Sequence, residues 1–435
     1  MIEYLVILFQ LLVFVLFSYF PINSSTSKYF LSSSKNLSLI NYFIINLSLL
    51  MSILLIASFT KFGLENVFIT LLIIYALLFL VSFKDILRIN YKDNYLVITI
   101  FIIINFALFL DLARDLQLNW DALTLWKIKA NHFYLGNNYF DPTYYPHAYF
   151  SHPQYPHLGT YIWSFFWKNA LLDYEYLGRC FQTYLYVVSL FVLTMSFRFQ
   201  SFSKIFLVLV VLIILSYDPD LRGYQDIYIF SLIIFYGFFI YEKFRLKTNL
   251  NNFIILIPLI LPWIKNEGIF YSIFLLIIYF VVEKSNLKRL FFPLIILSTI
   301  FLQLYLNIFY FDLNTLFQFE IKSSNILNDE GFTTLLNKFV KILFYSSHGF
   351  FKHPILILDA FIIFISLYYL KFSKINFPYY LFLFLFIVFI LSIYVFTPND
   401  LKWHLQSSID RLLLHTSGIY VFLLANLNYK KIIKI

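Results

Sequence analysis

Apolar runs of hydrocarbon length recur along almost the whole of this chain, and they leave few ways to fold. Inside a bilayer every backbone N–H and C=O must find its partner within the protein, so only helices and closed barrels can span it. The runs are continuous rather than alternating, which reads as helix and not as barrel strand. They fall at residues 4–20, 38–60, 63–83 and 95–111, then at 176–197, 203–217, 224–241, 252–264, 268–282, 290–311, 354–371, 378–396 and 411–427. The pattern predicts an all-α polytopic membrane protein with about 13 spans. A bilayer core takes about 20 helical residues, so the shorter runs must draw on their flanks or be broken helices. Composition excludes a soluble domain: 61% of residues are hydrophobic and 13% charged, against about 25% charged in a soluble protein. Mean hydropathy is +0.79. Glu3, not a basic cluster, precedes the first run, which reads as a retained span rather than a cleaved signal. The lone Cys180 allows no internal disulfide.

One long stretch breaks the pattern. Asp111–Trp163 is too polar to cross a membrane and too long for a turn, and it ends in a short apolar helix over 158–171. It carries Asp111, Asp115, Asp121, Asp141, His132, His147, His152 and His157 among many aromatics. Polar groups kept in so apolar a chain point to function. The positive-inside rule orients the chain. If this stretch faces outward, the inward segments hold 18 Lys or Arg and 4 acids, from Lys28 through Lys434, although the whole chain is only +9. That excess is an address on the membrane and requires no nucleic acid. It puts Asp111–Trp163, Asp218–Asp226, Lys265–Gly268, Asp312–Lys352 and Thr397–Arg411 on one outer face. Within the fourth segment, Phe332 to Phe344 has the spacing of an interfacial amphipathic helix.

Five groups on that face could carry chemistry. Asp121 begins a Trp-flanked helix (NWDALTLWKIKANHFY). A carboxylate there suits a general base just outside the bilayer, or simply a helix N-cap. His152, Tyr155 and His157 lie in SHPQYPHLGTYIW, where Pro153 and Pro156 stiffen a loop that could wall a pocket. Their spacing matches no zinc pattern, so a divalent ion is the less favoured reading and no cofactor is called for. Asp226 enters the first turn of a span, beside an Asp218-Pro-Asp220 triplet of the D-x-D kind. D-x-D serves nucleotide sugars, which belong on the inner side, so the triplet is discounted. Lys265 and Glu267 interrupt a long apolar run, as a phosphate cation and a sugar or metal ligand, or as a tight turn with Gly268. Lys402, His404 and Arg411 bring cations to an otherwise acidic face, and His404, Ser408 and Arg411 share one side of a helix. Arg suits bidentate phosphate contact; an interfacial pair with Asp410 is the alternative.

Together these segments resemble the GT-C superfamily of integral-membrane glycosyltransferases, which includes the protein O-mannosyltransferases and the lipid A aminoarabinose transferases. The likeness rests on Trp120-Asp121-Ala122…Trp126…Lys129-Ala130, His152-Pro153-Gln154-Tyr155-Pro156, Gly223-Tyr224-Gln225-Asp226, Lys265-Asn266-Glu267-Gly268 and Trp403-His404-Leu405…Ser408-Ile409-Asp410-Arg411. It covers residues 95–427, with 1–94 as additional N-terminal helices and 428–435 as a basic cytoplasmic tail. The resemblance implies a GT-C-like bundle whose first outer loop, 111–163, is catalytic and carries interfacial helices. It implies a polyprenyl-phosphate-linked sugar donor, an inverting displacement, and an envelope glycolipid, polysaccharide or protein as acceptor. Catalysis would face the outside of a bacterial inner membrane. The matching position for the family's base is Asp121, with Asp111 and Asp115 as rivals; Lys265, His404 and Arg411 match its phosphate cations. The Asp-Glu pair of many relatives is replaced here by Trp120-Asp121. A lipid-linked glycan flippase would instead want charges near the midplane, where Asp359 is the main one. An O-antigen-type polymerase would want arginine-rich outer loops.

Overall fold

A computed structural model describes residues 2–19, 39–86, 95–141, 155–196, 223–246, 252–283, 291–310, 336–342, 374–395 and 400–432, with single positions at 333, 344 and 364. All regular structure among them is helical. The helices are α1 (Ile2–Tyr19), α2 (Leu39–Ser58), α3 (Leu64–Ile86), α4 (Tyr95–Arg114), α5 (Lys127–Tyr134), α6 (Leu158–Lys168) and α7 (Tyr176–Met195). They continue as α8 (Asp226–Leu246), α9 (Leu256–Ile260), α10 (Glu267–Val282), α11 (Phe291–Tyr305), α12 (Phe377–Val395) and α13 (Leu401–Ile432).

Six helices among the described residues are long and apolar enough to cross a membrane: α1, α2, α7, α8, the run Phe291–Phe309 and α12. That is fewer than the spacing of apolar runs predicts: the run at 95–111 forms α4, which is not among the six, and the other missing runs fall into three groups. The runs at 203–217 and 354–371 lie outside the described residues. Leu64–Leu80, Glu267–Val282 and Arg411–Leu423 are apolar helices below spanning length. The run at 252–264 is a short α9 between two 3-10 turns, Asn252–Ile255 and Leu261–Trp263. Pro258 and Pro262 interrupt it, because proline has no N–H for the helical ladder. The polar segment before Arg411 is helical, as the spacing of His404, Ser408 and Arg411 suggests: α13 starts at Leu401, where Asp400 caps it by accepting the Trp403 N–H on Oδ1 at 2.8 Å.

The spanning window of α7 is 100% buried and that of α8 83%, against 33% for the α11 run, so α7 and α8 form the centre of the molecule. α7 packs against α4, α6 and α8, and α8 packs most extensively against α13. Glycines set that last contact. A Cβ on Gly237 would stand 2.7 Å from Phe422, and one on Gly418 would stand 2.5 Å from Ile234. Small residues facing bulky ones let helices approach closely where lipid supplies no hydrophobic drive. Polar side chains tie other helices together: Gln10 donates to the Phe166 carbonyl at 3.3 Å and Tyr236 to the Leu275 carbonyl at 2.6 Å. Among the described residues of 111–163, α5 lies against α6. Ser164 Oγ donates to the Ala130 carbonyl at 2.6 Å across that contact.

Candidate functional site

The close crossing of α8 and α13 brings two remote polar segments to one place. Asp226 opens α8, while Arg411 and His415 sit one turn apart on α13. A third segment arrives from the stretch between α4 and α6. Ala122–Trp126 forms a single π turn, a local widening often found at functional sites. Ala122, Leu125, Trp126 and Ala130 pack as a cluster on buried Trp163. Gly223 crosses the same Trp163 with φ 102°, and a Cβ there would meet the ring at 3.0 Å and the Ala122 methyl at 3.2 Å. Only glycine takes that conformation readily. The Asp121–Ala122 and Gly223–Tyr224 segments therefore meet at one indole.

At the mouth of the site, Asp121 makes no side-chain cap bond. Its Oδ2 accepts from Arg411 Nη1 at 2.7 Å, with the two side chains 39% and 27% exposed. The guanidinium lies 4.8 Å over the Tyr224 ring, a cation–π contact.

The floor is buried. Asp226 Oδ1 accepts from Lys265 Nζ at 3.0 Å and from His415 Nε2 at 2.8 Å. The Tyr271 hydroxyl lies 2.9 Å from His415 Nδ1, so the imidazole is hydrogen-bonded at both nitrogens, with Nε2 facing the Asp226 carboxylate. Lys265 also pairs with Glu267 Oε1 at 3.4 Å. Burial works against its charge, but the two carboxylates outweigh burial and hold the ammonium above its ordinary range. The turn that presents Lys265 depends on Gly268, since a Cβ there would fall 1.9 Å from the Leu261 carbonyl oxygen. Asp226 Oδ2, Glu267 Oε2 and Asn266 Oδ1 are buried and have no hydrogen-bond partner among the described residues.

The sequence-derived residues separate into three groups. Asp121, Asp226, Lys265, Glu267 and Arg411 come together. His404 borders them: it lies half-buried with its ring 5.0 Å from Tyr394, and both Glu267 and Arg411 act on it electrostatically. Burial is the larger influence and lowers its pKa. Tyr155 stands between the mouth and α5, its carbonyl accepting from Lys129 Nζ at 2.7 Å and its ring 5.6 Å from Trp126. Lys402 is exposed in the first turn of α13.

The remaining residues lie elsewhere. Asp111 is exposed in the last turn of α4. Asp115 Oδ1 accepts the Gln117 N–H at 3.2 Å, a local turn. Of the three rival aspartates, Asp121 alone pairs with Arg411 among the described residues. His157, expected to line the pocket, is instead fully buried in an aromatic nest of Phe59, Tyr139 and Trp263, and Ser58 Oγ meets its Nε2 at 2.7 Å. Burial, then the nearby Lys129, push its pKa well below the usual histidine range. Its neighbours are rings because α2 and α6 close over it. His152, Asp218 and Asp220 lie outside the described residues.

Two members of the site, His415 and Tyr271, do not stand out in the sequence, and Tyr224 enters it only within the Gly223–Asp226 motif. His415 carried the best signal: it continues the stripe of His404, Ser408 and Arg411 by one more turn and is the one histidine within that apolar run. Tyr271 is one of 35 tyrosines and has no distinguishing context. Among the described residues no group of three or more His, Cys, Asp or Glu could hold a metal ion. Comparison with protein-family models, with curated proteins and with solved structures gives no match.

Proposed function

We propose that this chain is a GT-C-type membrane glycosyltransferase of about 13 spans, counting helices completed by their flanks. In this reading it moves a sugar from a polyprenyl-phosphate donor to an envelope glycolipid, polysaccharide or protein on the outer face of a bacterial inner membrane. The observation that carries the reading is the Asp121–Arg411 pair at the mouth of a buried Asp226–Lys265–Glu267–His415 floor. A carboxylate and a guanidinium, 290 residues apart in the chain, stand together and suit the roles of base and phosphate-binding cation. Displacement at an anomeric carbon needs both.

Asp121 takes the proton of the acceptor hydroxyl as its oxygen bonds to the anomeric carbon. The bond from that carbon to the phosphate oxygen breaks, and polyprenyl phosphate leaves as an anion beside Arg411. Attack and departure on opposite faces invert the centre, so in this reading the donor enters between Asp121 and Arg411 and parts the 2.7 Å pair seen here. Arg411 suits the phosphate better than Lys265 does, because Lys265 already has two carboxylates on its ammonium, whereas Arg411 uses one of its nitrogens on Asp121 and is partly exposed.

The test is transfer from radiolabelled polyprenyl-phosphate sugars to envelope extract by the reconstituted chain. Labelled sugar in a new acceptor, abolished in Asp121→Asn and Arg411→Gln, supports the reading. Passage of intact donor across the bilayer without cleavage refutes it in favour of a flippase.

A further inference from the structure

A charged pair that the transfer step does not use stands against the indole of Trp163. Arg179 is fully buried in the first turn of α7. Its Nε donates to Glu175 Oε1 at 2.9 Å and its Nη2 to Glu175 Oε2 at 3.1 Å. Nη1 has no hydrogen-bond partner among the described residues, and the guanidinium carbon lies 6.0 Å from the centre of the Trp163 ring. A buried ion pair adds little stability, because lost hydration cancels most of the attraction. For stability alone, an apolar side chain would serve as well on a helix whose spanning window is wholly buried. What the pair does supply is a fixed cation. Two parallel hydrogen bonds set the plane of the guanidinium, and a cation held in place attracts the face of an indole.

The same indole is confined at two edges. A Cβ on Gly178 would fall 2.7 Å from its Cδ1, and one on Gly223 would fall 3.0 Å from its Cη2. Ala122, next to Asp121, packs on this ring. Arg411 is carried separately by α13, which the Gly237 and Gly418 contacts fit closely to α8. Asp121 therefore reaches Arg411, at 2.7 Å, from a segment seated on Trp163.

We propose that Glu175 and Arg179 are positioning residues that latch the mouth of the site: by fixing Trp163 they hold Asp121 on Arg411 until a lipid phosphate parts the pair. This rests on the glycosyl-transfer reading and adds to it what resists donor entry. Neither residue touches the substrate; both act through the indole.

The experiment measures displacement of a fluorescent undecaprenyl phosphate from the full chain in lipid nanodiscs. The main variant is Glu175→Gln/Arg179→Leu, which removes both charges and leaves no lone one buried. It should bind the phosphate about three- to fivefold more tightly than wild type, the range open to a partly exposed pair that competes for Arg411. Undecaprenol, which carries no phosphate, should bind unchanged. In an Asp121→Asn background the same double change should alter phosphate affinity by less than about 1.5-fold, because the competing carboxylate is already gone. Trp163→Phe keeps the charged pair but shortens the ring away from Gly223 and Ala122. It should give a gain in the same direction, and it decides the matter should the double variant fail to fold. A merely structural pair gives other results: weaker phosphate binding, an equal effect on alcohol and phosphate, or the same gain with and without Asp121. Any of these overturns the latch. A gain in Asp121→Asn with none in Glu175→Gln/Arg179→Leu overturns the latch alone. No gain in Asp121→Asn itself overturns the phosphate role of Arg411, and the latch with it.

Discussion

Replacing Asp121 by Asn should tighten the binding of a lipid phosphate, although the residue is the proposed base. Arg411 gives Nη1 to Asp121 at 2.7 Å, so a phosphate arriving at that guanidinium must share it or displace the carboxylate. The side chains are 39% and 27% exposed. Pairs this open are worth about 0.2–1 kcal/mol. Relief of that competition, with loss of the carboxylate's repulsion of phosphate, should raise affinity by up to about fivefold, since 1.4 kcal/mol is a factor of ten. The assay is displacement of a fluorescent undecaprenyl phosphate from the chain in nanodiscs, with undecaprenol as the uncharged control. Arg411→Gln should erase the preference for the phosphate over the alcohol. High salt should shrink the Asp121→Asn gain by screening the exposed pair. Unchanged or weaker phosphate binding in Asp121→Asn would refute the assignment of Arg411 as the phosphate cation restrained by Asp121.

Other consequences can be checked without any substrate. Gly268→Ala puts a methyl 1.9 Å from the Leu261 carbonyl, so the Lys265 turn must open; a loss of about 1–3 kcal/mol or more should appear as a lower thermal midpoint in detergent. Tyr271→Phe removes the hydroxyl bonded to fully buried His415 Nδ1 and should cost about 1–3 kcal/mol on the same scale. His132, His157 and His404 all have pKa values lowered from 6.5, by burial first. As pH falls through 6.5 the unfolded chain therefore takes protons that the fold resists. Stability should be full above that pH and decline below it, and His157→Gln should flatten the decline in melts across pH 5–8.

The membrane-helical class of this protein is written in its apolar runs, because a backbone in lipid must satisfy itself and run length alone decides what can span. That Asp121, Asp226, Lys265 and Arg411 share one side could be argued from charge sidedness, a property of segments that needs no contacts. What only the tertiary structure decided is pairing. The Gly237 and Gly418 faces set how near α8 and α13 come, and so put His415 on Asp226. The indole of Trp163 brings Asp121 to Tyr224 and Arg411. The two histidines show the limit most clearly. His157, in a polar loop, became a packing residue, and His415, in an apolar run, reached the floor of the site. A histidine's role depends on what approaches its two nitrogens from remote segments, and local spacing carries no record of that.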